Sequence, residues 1–375
     1  MRRALKTATI RCALRGLSLA RADRWFAEPA LGVVLMLHRV RPAPDDPFRP
    51  NGHLEVTPDF LDRALARVRA TGARFVSLEE AADRARRGFT DERFVATTLD
   101  DGYRDNLVHA LPVFRRHGVP HTVFVATGMV EGTASAWWLT LEAVVRAAPR
   151  IEAVLDGRPL SLDTRAPAAK ARGFDRIARR VDVMAEDDRA AFVRALATAH
   201  GLAVPRILSA EMMTWDDVRA IAADPLATIG GHTVDHPALA TLPVDRARRE
   251  IGLGLDRLET ELGVRPRQFA YPFGNVRAAG RREAALMAEF GIDVAVTTRG
   301  GLIGPREAGD TLFWPRVSLN GDHQTDAVVD LLVSGAPFRL ARAAGAVRRL
   351  IPTGRRGTSA PDHTPDPAAG GAAPV

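Results

Sequence analysis

Short, nearly continuous apolar runs recur along the chain, with amphipathic stretches between them. The runs are Leu31–Leu37, Arg74–Val76, Phe94–Leu99, His121–Val125, Ala227–Gly230, Gln268–Tyr271, Asp293–Thr297 and Leu312–Val317. A strand with one wet face would alternate apolar and polar residues, so these runs predict strands covered on both faces. The intervening stretches carry helix start signals. Thr57-Pro58 sets an N-cap before a proline at the first helical position, and Leu61, Leu65 and Val68 follow as a stripe. Ser77 with Glu80, and Thr214 with Asp217, have capping-box spacing, although Asp217 is a shorter acid than the motif prefers. Strands alternating with helices on this scale predict an α/β fold, a distorted (β/α) barrel of 7–8 parallel strands.

The alternation stops over residues 131–210, which read as helices broken by Pro and Gly. They are expected to form a helical insertion at the barrel mouth, where long loops usually carry specificity. The full division is a basic N-terminal helix over 1–30, the barrel over 31–322, amphipathic helices over 323–351 and a disordered tail over 352–375, rich in Pro, Gly, Ala and Thr. In the C-terminal segment Leu340, Ala344, Val347 and Ile351 share one helical face, with Arg342 and Arg349 nearly opposite and Arg348 flanking them. Such a helix can either pack against the barrel or lie on an anionic membrane.

Composition narrows the classes. With 375 residues the chain can bury a full core. A single cysteine, Cys12, excludes a disulfide framework and a cysteine-rich zinc cluster, so any metal must be held by nitrogen and oxygen. The net charge of +7 favours anionic partners, yet no helix-turn-helix, finger or RNA-binding signature appears, and no nucleic acid is expected. The arginines read as solvated helix faces. Lys6, Arg11 and Arg15 interrupt any apolar core in the first 20 residues, so neither a secretory signal nor a membrane span is expected, and the chain should stay in the cytoplasm.

Three clusters carry chemistry, each at the end of an expected strand. Asp100-Asp101-Gly102 follows Phe94–Leu99; neighbouring carboxylates repel unless a metal takes one and leaves the other as a base. A helix N-cap with an acidic first turn is the plain alternative. His232-Thr233-Val234-Asp235-His236 follows Ala227–Gly230, and histidines at i and i+4 on a helical turn can share a metal. With Thr at 233 this is not a zincin motif. Tyr271-Pro272-Phe273-Gly274 forms either a tight turn or a turn aiming a backbone N–H at a developing oxyanion. In a parallel barrel all three would meet at the mouth.

These motifs resemble those of the polysaccharide deacetylase family, also called carbohydrate esterase family 4 or the nodulation-type deacetylase domain. The matching residues are Thr98-Leu99-Asp100-Asp101-Gly102, His232-Thr233-Val234-Asp235-His236 and Tyr271-Pro272-Phe273-Gly274, and the similarity spans roughly Leu31 to Val317. The resemblance implies metal-dependent removal of acetyl groups from an N-acetylated glycan. It implies Asp100 as general base, Asp101, His232 and His236 as ligands of a divalent metal, usually zinc, and the Phe273 N–H as oxyanion donor. Met36-Leu37-His38-Arg39-Val40 resembles the family's opening strand, which would set His38 in the mouth with Tyr271 and Pro272, a satisfied structural histidine being the alternative at position 38. Trp138, beside Trp137 in the insertion, is expected to stack on sugar or to join the core. Two departures stand out: Ala270 occupies the position of a base-orienting arginine, and Leu319-Asn320-Gly321 lacks the histidine that serves as general acid, His323 being two residues late. This leaves two other readings open: amide hydrolysis or deformylation of a non-sugar or lipid-linked substrate, and a glycan-binding protein with a vestigial site.

Overall fold

The computed structural model describes residues 2–88 and 92–350, with side chains over 8–88 and 92–344. Its main strands are β1 (Gly32–Leu37), β2 (Arg74–Phe75), β3 (Phe94–Leu99), β4 (His121–Val125), β5 (Arg150–Leu155), β6 (Arg158–Asp163), β7 (Ala227–Gly231), β8 (Gln268–Ala270), β9 (Val294–Gly300) and β10 (Trp314–Ser318). Seven strands close a parallel barrel in the order β1–β10–β9–β8–β7–β4–β3 and back to β1. All eight expected strands are present, and the eighth, β2, lies outside the ring. It pairs only with the first residues of β3, Arg74 opposite Phe94 and Phe75 opposite Val95, and β4 takes over that edge from Thr97 onward.

Every residue of β1, β3 and β4 is buried, the pattern of strands covered on both faces. Phe94, Phe124 and Trp314 belong to one buried cluster with Val34, Ala96 and Val296. Their bulk sets two glycines: a Cβ on Gly32 would lie 2.2 Å from the Phe94 ring, and one on Gly230 would lie 2.4 Å from Phe124. The chain cannot carry a side chain at either position without moving a core aromatic.

The main helices up to the insertion are α1 (Arg2–Leu19), α2 (Ala22–Trp25), α3 (Pro58–Ala70), α4 (Leu78–Arg86) and α5 (Leu111–His117). The insertion adds α6 (Trp137–Ala147), α7 (Pro167–Val181), α8 (Glu186–Ala199) and α9 (Val204–Glu211). There follow α10 (Trp215–Ala222), α11 (Val244–Leu262), α12 (Arg281–Glu289), α13 (Asp326–Ser334) and α14 (Ala336–Leu350). Thr57 caps α3 by accepting the Phe60 N–H, and Ser77 caps α4 from Glu80 without the reciprocal bond, because Glu80 pairs with Arg84 instead. The Thr214 box is complete despite its short acid: Asp217 donates its N–H to Thr214 Oγ1 and accepts the Thr214 N–H.

The insertion differs from a purely helical reading. Between α6 and α7 lies an antiparallel hairpin, β5 with β6, turning at Asp156-Gly157, both with positive φ. An Asp-Gly pair in that conformation is the signal of a type I′ hairpin, and it stands in the sequence. The insertion packs a core, including Leu141, Val144, Ile151, Phe174, Ile177 and Val193, that also takes in Phe48, Tyr103 and Ala126 from outside it. It is tied to the barrel by polar contacts: Asn51 Nδ2 donates to the Trp138 carbonyl at 3.0 Å, and buried Arg39 bridges Asp105 and Glu211. In the C-terminal segment Leu340 is half-buried and Ala344 exposed, while Ile351, the tail over 352–375 and the side chains of Val347, Arg348 and Arg349 lie outside what is described.

Candidate active site

The mouth is built from strand ends whose backbone turns sharply. Seven non-glycine residues in the described chain have positive φ, and four are here: Asp101 (76°), Thr233 (67°), His236 (59°) and Phe273 (58°). This conformation is costly for side-chain-bearing residues and persists only where surrounding contacts fix it. After β3, Asp101 and Gly102 (82°) reverse the chain, so that Asp100 and Asp101 both line the cavity.

The His232–His236 segment is not helical, contrary to the reading of its i, i+4 spacing. It is an irregular loop in which left-handed Thr233 and His236 bring the rings to 4.8 Å between centroids. Thr233 Oγ1 accepts the His236 N–H at 3.0 Å, and the Glu250 carboxylate from α11 accepts the N–H groups of Val234 and Asp235. These bonds hold an otherwise strained loop.

Asp101 Oδ1 lies 3.3 Å from Nε2 of both His232 and His236, all three residues are buried, and their nearest ligand atoms fall within 4.8 Å of one another. Ligands about 2.1 Å from a tetrahedral ion stand about 3.4 Å apart, so the spacing fits one cation. The ring orientation and charges fit as well. His232 Nδ1 donates to the Ala270 carbonyl at 2.6 Å, which fixes the ring with Nε2 towards Asp101. Burial pushes the His236 pKa down against the pull of Asp101, favouring a neutral ring. Burial opposes the charge on Asp101, yet hydrogen bonds from the two histidines hold its pKa well below the ordinary carboxylate value. Among the described residues no other cluster of His, Cys, Asp and Glu could hold a metal.

Asp100 belongs to a different network. Arg316, fully buried on β10, donates Nη1 to Oδ1 at 2.7 Å and Nη2 to Oδ2 at 2.6 Å. The guanidinium is itself fixed, with Nε on the Thr297 carbonyl at 2.7 Å and Nη1 also on Thr98 Oγ1 at 3.0 Å. Burial alone would raise the Asp100 pKa, but Arg316 outweighs it and the carboxyl stays ionised below its usual range. Arg316 supplies from the last strand the charge that Ala270 lacks. A signal for it existed: one arginine inside the apolar run Leu312–Val317.

These groups face a cavity of about 640 Å³. His38 lines it, with Nε2 3.9 Å from Asp100 Oδ2, and so does the Phe273 ring, 4.8 Å from His236. The Phe273 N–H has no acceptor among the described residues. Trp138 lines the wall edge-on to His236, almost wholly buried, its Nε1 donating to the Tyr103 hydroxyl at 2.9 Å. It thus combines both expectations, packed in the insertion core with one edge on the cavity. Tyr271 and Pro272 are not brought to the cavity: Tyr271 packs between Phe269 and Phe313 and donates its hydroxyl to the Leu312 carbonyl. His323 does not line it either. Unforeseen lining residues include Asn51, His53, Leu54 and, from α7, Phe174, Asp175, Ala178 and Arg179. A second hollow of about 590 Å³ at the opposite end of the barrel holds no histidine.

The description of polysaccharide deacetylases matches residues 87–157 and 174–294, just over half of the chain. The chain belongs to this family. Members are hydrolases acting on amide bonds, and the unmatched gap falls within the insertion. Among solved structures, the Streptococcus pyogenes deacetylase PplD in complex with acetate is 18% identical, covers 82% of this chain and 99% of its own, and has a TM-score of 0.54. IcaB from Ammonifex degensii is 20% identical, with coverages of 82% and 97% and a TM-score of 0.52. The polysaccharide deacetylase BA0330 from Bacillus anthracis is 14% identical, with coverages of 80% and 68% and a TM-score of 0.51. At these identities the likeness is one of fold. No curated protein gave a significant match.

Proposed function

We propose that this deacetylase removes N-acetyl groups from amino sugars of an oligo- or polysaccharide, with a divalent metal, zinc by its donor set, held by Asp101, His232 and His236. The observation that carries the proposal is the pairing of two carboxylates with opposite partners: Asp101 against two imidazoles, and Asp100 clamped by Arg316. One aspartate has the surroundings of a ligand and its neighbour those of a base held ionised. A bound metal would lower the pKa of a water and polarise the acetamide carbonyl.

The chain's own residues do the rest. Asp100 takes a proton from the attacking water, and its orientation is fixed by the Arg316 fork. The free Phe273 N–H, turned by its left-handed backbone, donates to the oxyanion as the tetrahedral centre forms. His38 is our candidate for protonating the leaving amine, since it shares the cavity with Asp100 and is not one of the three ligands. Trp138 and Phe273 wall off water from one side.

The apolar wall of Leu54, Trp137, Trp138, Phe174 and Ala178 favours a second reading, in which the same chemistry acts on a lipid-linked amino sugar or a non-sugar amide. Metal analysis with product analysis on N-acetylglucosamine oligomers separates the readings. Acetate with bound metal supports the first, and bound metal with no acetate, or with formate from an N-formyl sugar, supports the second. Absence of both metal and turnover returns the chain to a glycan-binding role.

A further inference from the structure

The positive charge of this chain is not spread over its surface. Residues 1–27 hold seven basic side chains (Arg2, Arg3, Lys6, Arg11, Arg15, Arg21 and Arg24) and one acid, Asp23. Residues 331–361 hold six arginines and no acid. Residues 28–330, the barrel and its insertion, hold 39 basic and 42 acidic residues, a net charge of −3. The overall +7 therefore resides in the two terminal segments, not in solvated faces of the barrel helices.

The fold brings α1, α2 and the start of α14 together on one side of the barrel. On α1 and α2, Leu14 and Ala22 pack with Val328 and Leu331 of α13 and with Ala336 at the start of α14. Arg339 of α14 donates to the Ala27 carbonyl at 2.9 Å, and Arg342 pairs with Glu28. What this leaves outside is unusual for a free surface. Leu19 is 78% exposed, Trp25 77% and Phe26 44%, all around the α1–α2 bend, with Arg15, Arg21 and Arg24 exposed among them. Arg15 and Arg24 have no ion-pair partner in the described chain.

We propose that this face docks on an anionic bilayer surface. Exposed Trp, Phe and Leu interleaved with arginines match the headgroup boundary, where aromatic rings sit at the interface and arginines meet lipid phosphates. No helix among the described residues is long and apolar enough to cross a membrane, so the contact is peripheral. The proposal does not depend on the chemistry in the cavity.

The test is sedimentation of the full chain with vesicles of phosphatidylcholine alone and with 30% phosphatidylglycerol, at low and high salt. Binding is expected only with the anionic lipid, and should fall at least tenfold at 0.5 M salt. Arg15→Gln with Arg24→Gln should lower partitioning about thirtyfold at low salt, at about 1 kcal/mol for each arginine. Trp25→Ser should lower it several-fold at every salt concentration. All these side chains are exposed, so the variants should melt like the wild type. Equal sedimentation with neutral and anionic vesicles, none with either, or retention on duplex DNA or RNA in preference to vesicles would overturn the proposal.

Discussion

Arg316→Met is the perturbation that separates a positioning role for this arginine from a merely structural one. The substitution removes both bonds to Asp100 and those to Thr98 and Thr297, leaving a buried carboxylate without its counter-charge. Breaking a buried pair in this way costs about 3–5 kcal/mol, a melting-temperature loss on the order of 5–10 °C at neutral pH. The pH dependence is diagnostic. In the wild type the folded pKa of Asp100 is depressed, so its stabilisation is complete above the unfolded value, about 3.9, and is lost as pH falls through the folded value. In the variant only the weaker pull of His38 and His232 opposes burial, so the folded pKa rises, and the deficit grows as pH rises from about 4 towards 7. The acid limb of the pH–rate profile should move up with it, because a protonated Asp100 cannot accept the water's proton. Arg316→Lys, which keeps the charge but not the two-pronged fork, should fall between. Thermal melts from pH 4 to 8 with acetate release over the same range provide the assay. A melting deficit equal at pH 4 and pH 7, with an unmoved acid limb, would leave Arg316 without a role in holding Asp100 ionised.

Asp100→Asn should lower acetate release by about 10²–10⁴-fold while metal content, read by elemental analysis, is unchanged. Loss of bound metal in that variant would make Asp100 a ligand. His232→Ala and His236→Ala should each release the metal and lower stability by roughly 2.7 kcal/mol when free metal stands at a hundred times its Kd, measured by melting with and without chelator. Trp138→Phe keeps the ring but strands the buried Tyr103 hydroxyl, so it should cost about 1–3 kcal/mol and raise KM more than it lowers kcat; steady-state kinetics on one oligomer would check the split.

The barrel was legible because its strands are buried on both faces and so appear as unbroken apolar runs; β3 and β4 match their expected bounds. β2 was legible as a strand but not as one outside the ring, because pairing partners leave no mark on a two-residue run. The insertion hairpin was missed although Asp156-Gly157 marks it: β5 alternates exposed with covered residues in the structure, but an apolar residue, Val154, stands at an exposed position and hides the alternation in the sequence. At the site, adjacency gave Asp100 and Asp101, and spacing gave His232 and His236, but the helical geometry inferred from that spacing was wrong. A left-handed Thr233 and a loop held by Glu250 have no periodic signature. Arg316 is 216 residues from Asp100, and only the closure of the barrel joins them. The concentration of charge at the two ends was countable from the start, whereas their meeting on one side of α13 required the fold.

We propose that Asp101, His232 and His236 hold a metal without which the amide is not cleaved. Chelator-stripped protein should release no acetate from N-acetylglucosamine oligomers and regain activity on zinc titration, with a break at one ion per chain. His232→Ala should show neither the break nor the recovery. Full acetate release by the stripped protein, or recovery in the His232→Ala variant at the same stoichiometry, would contradict it.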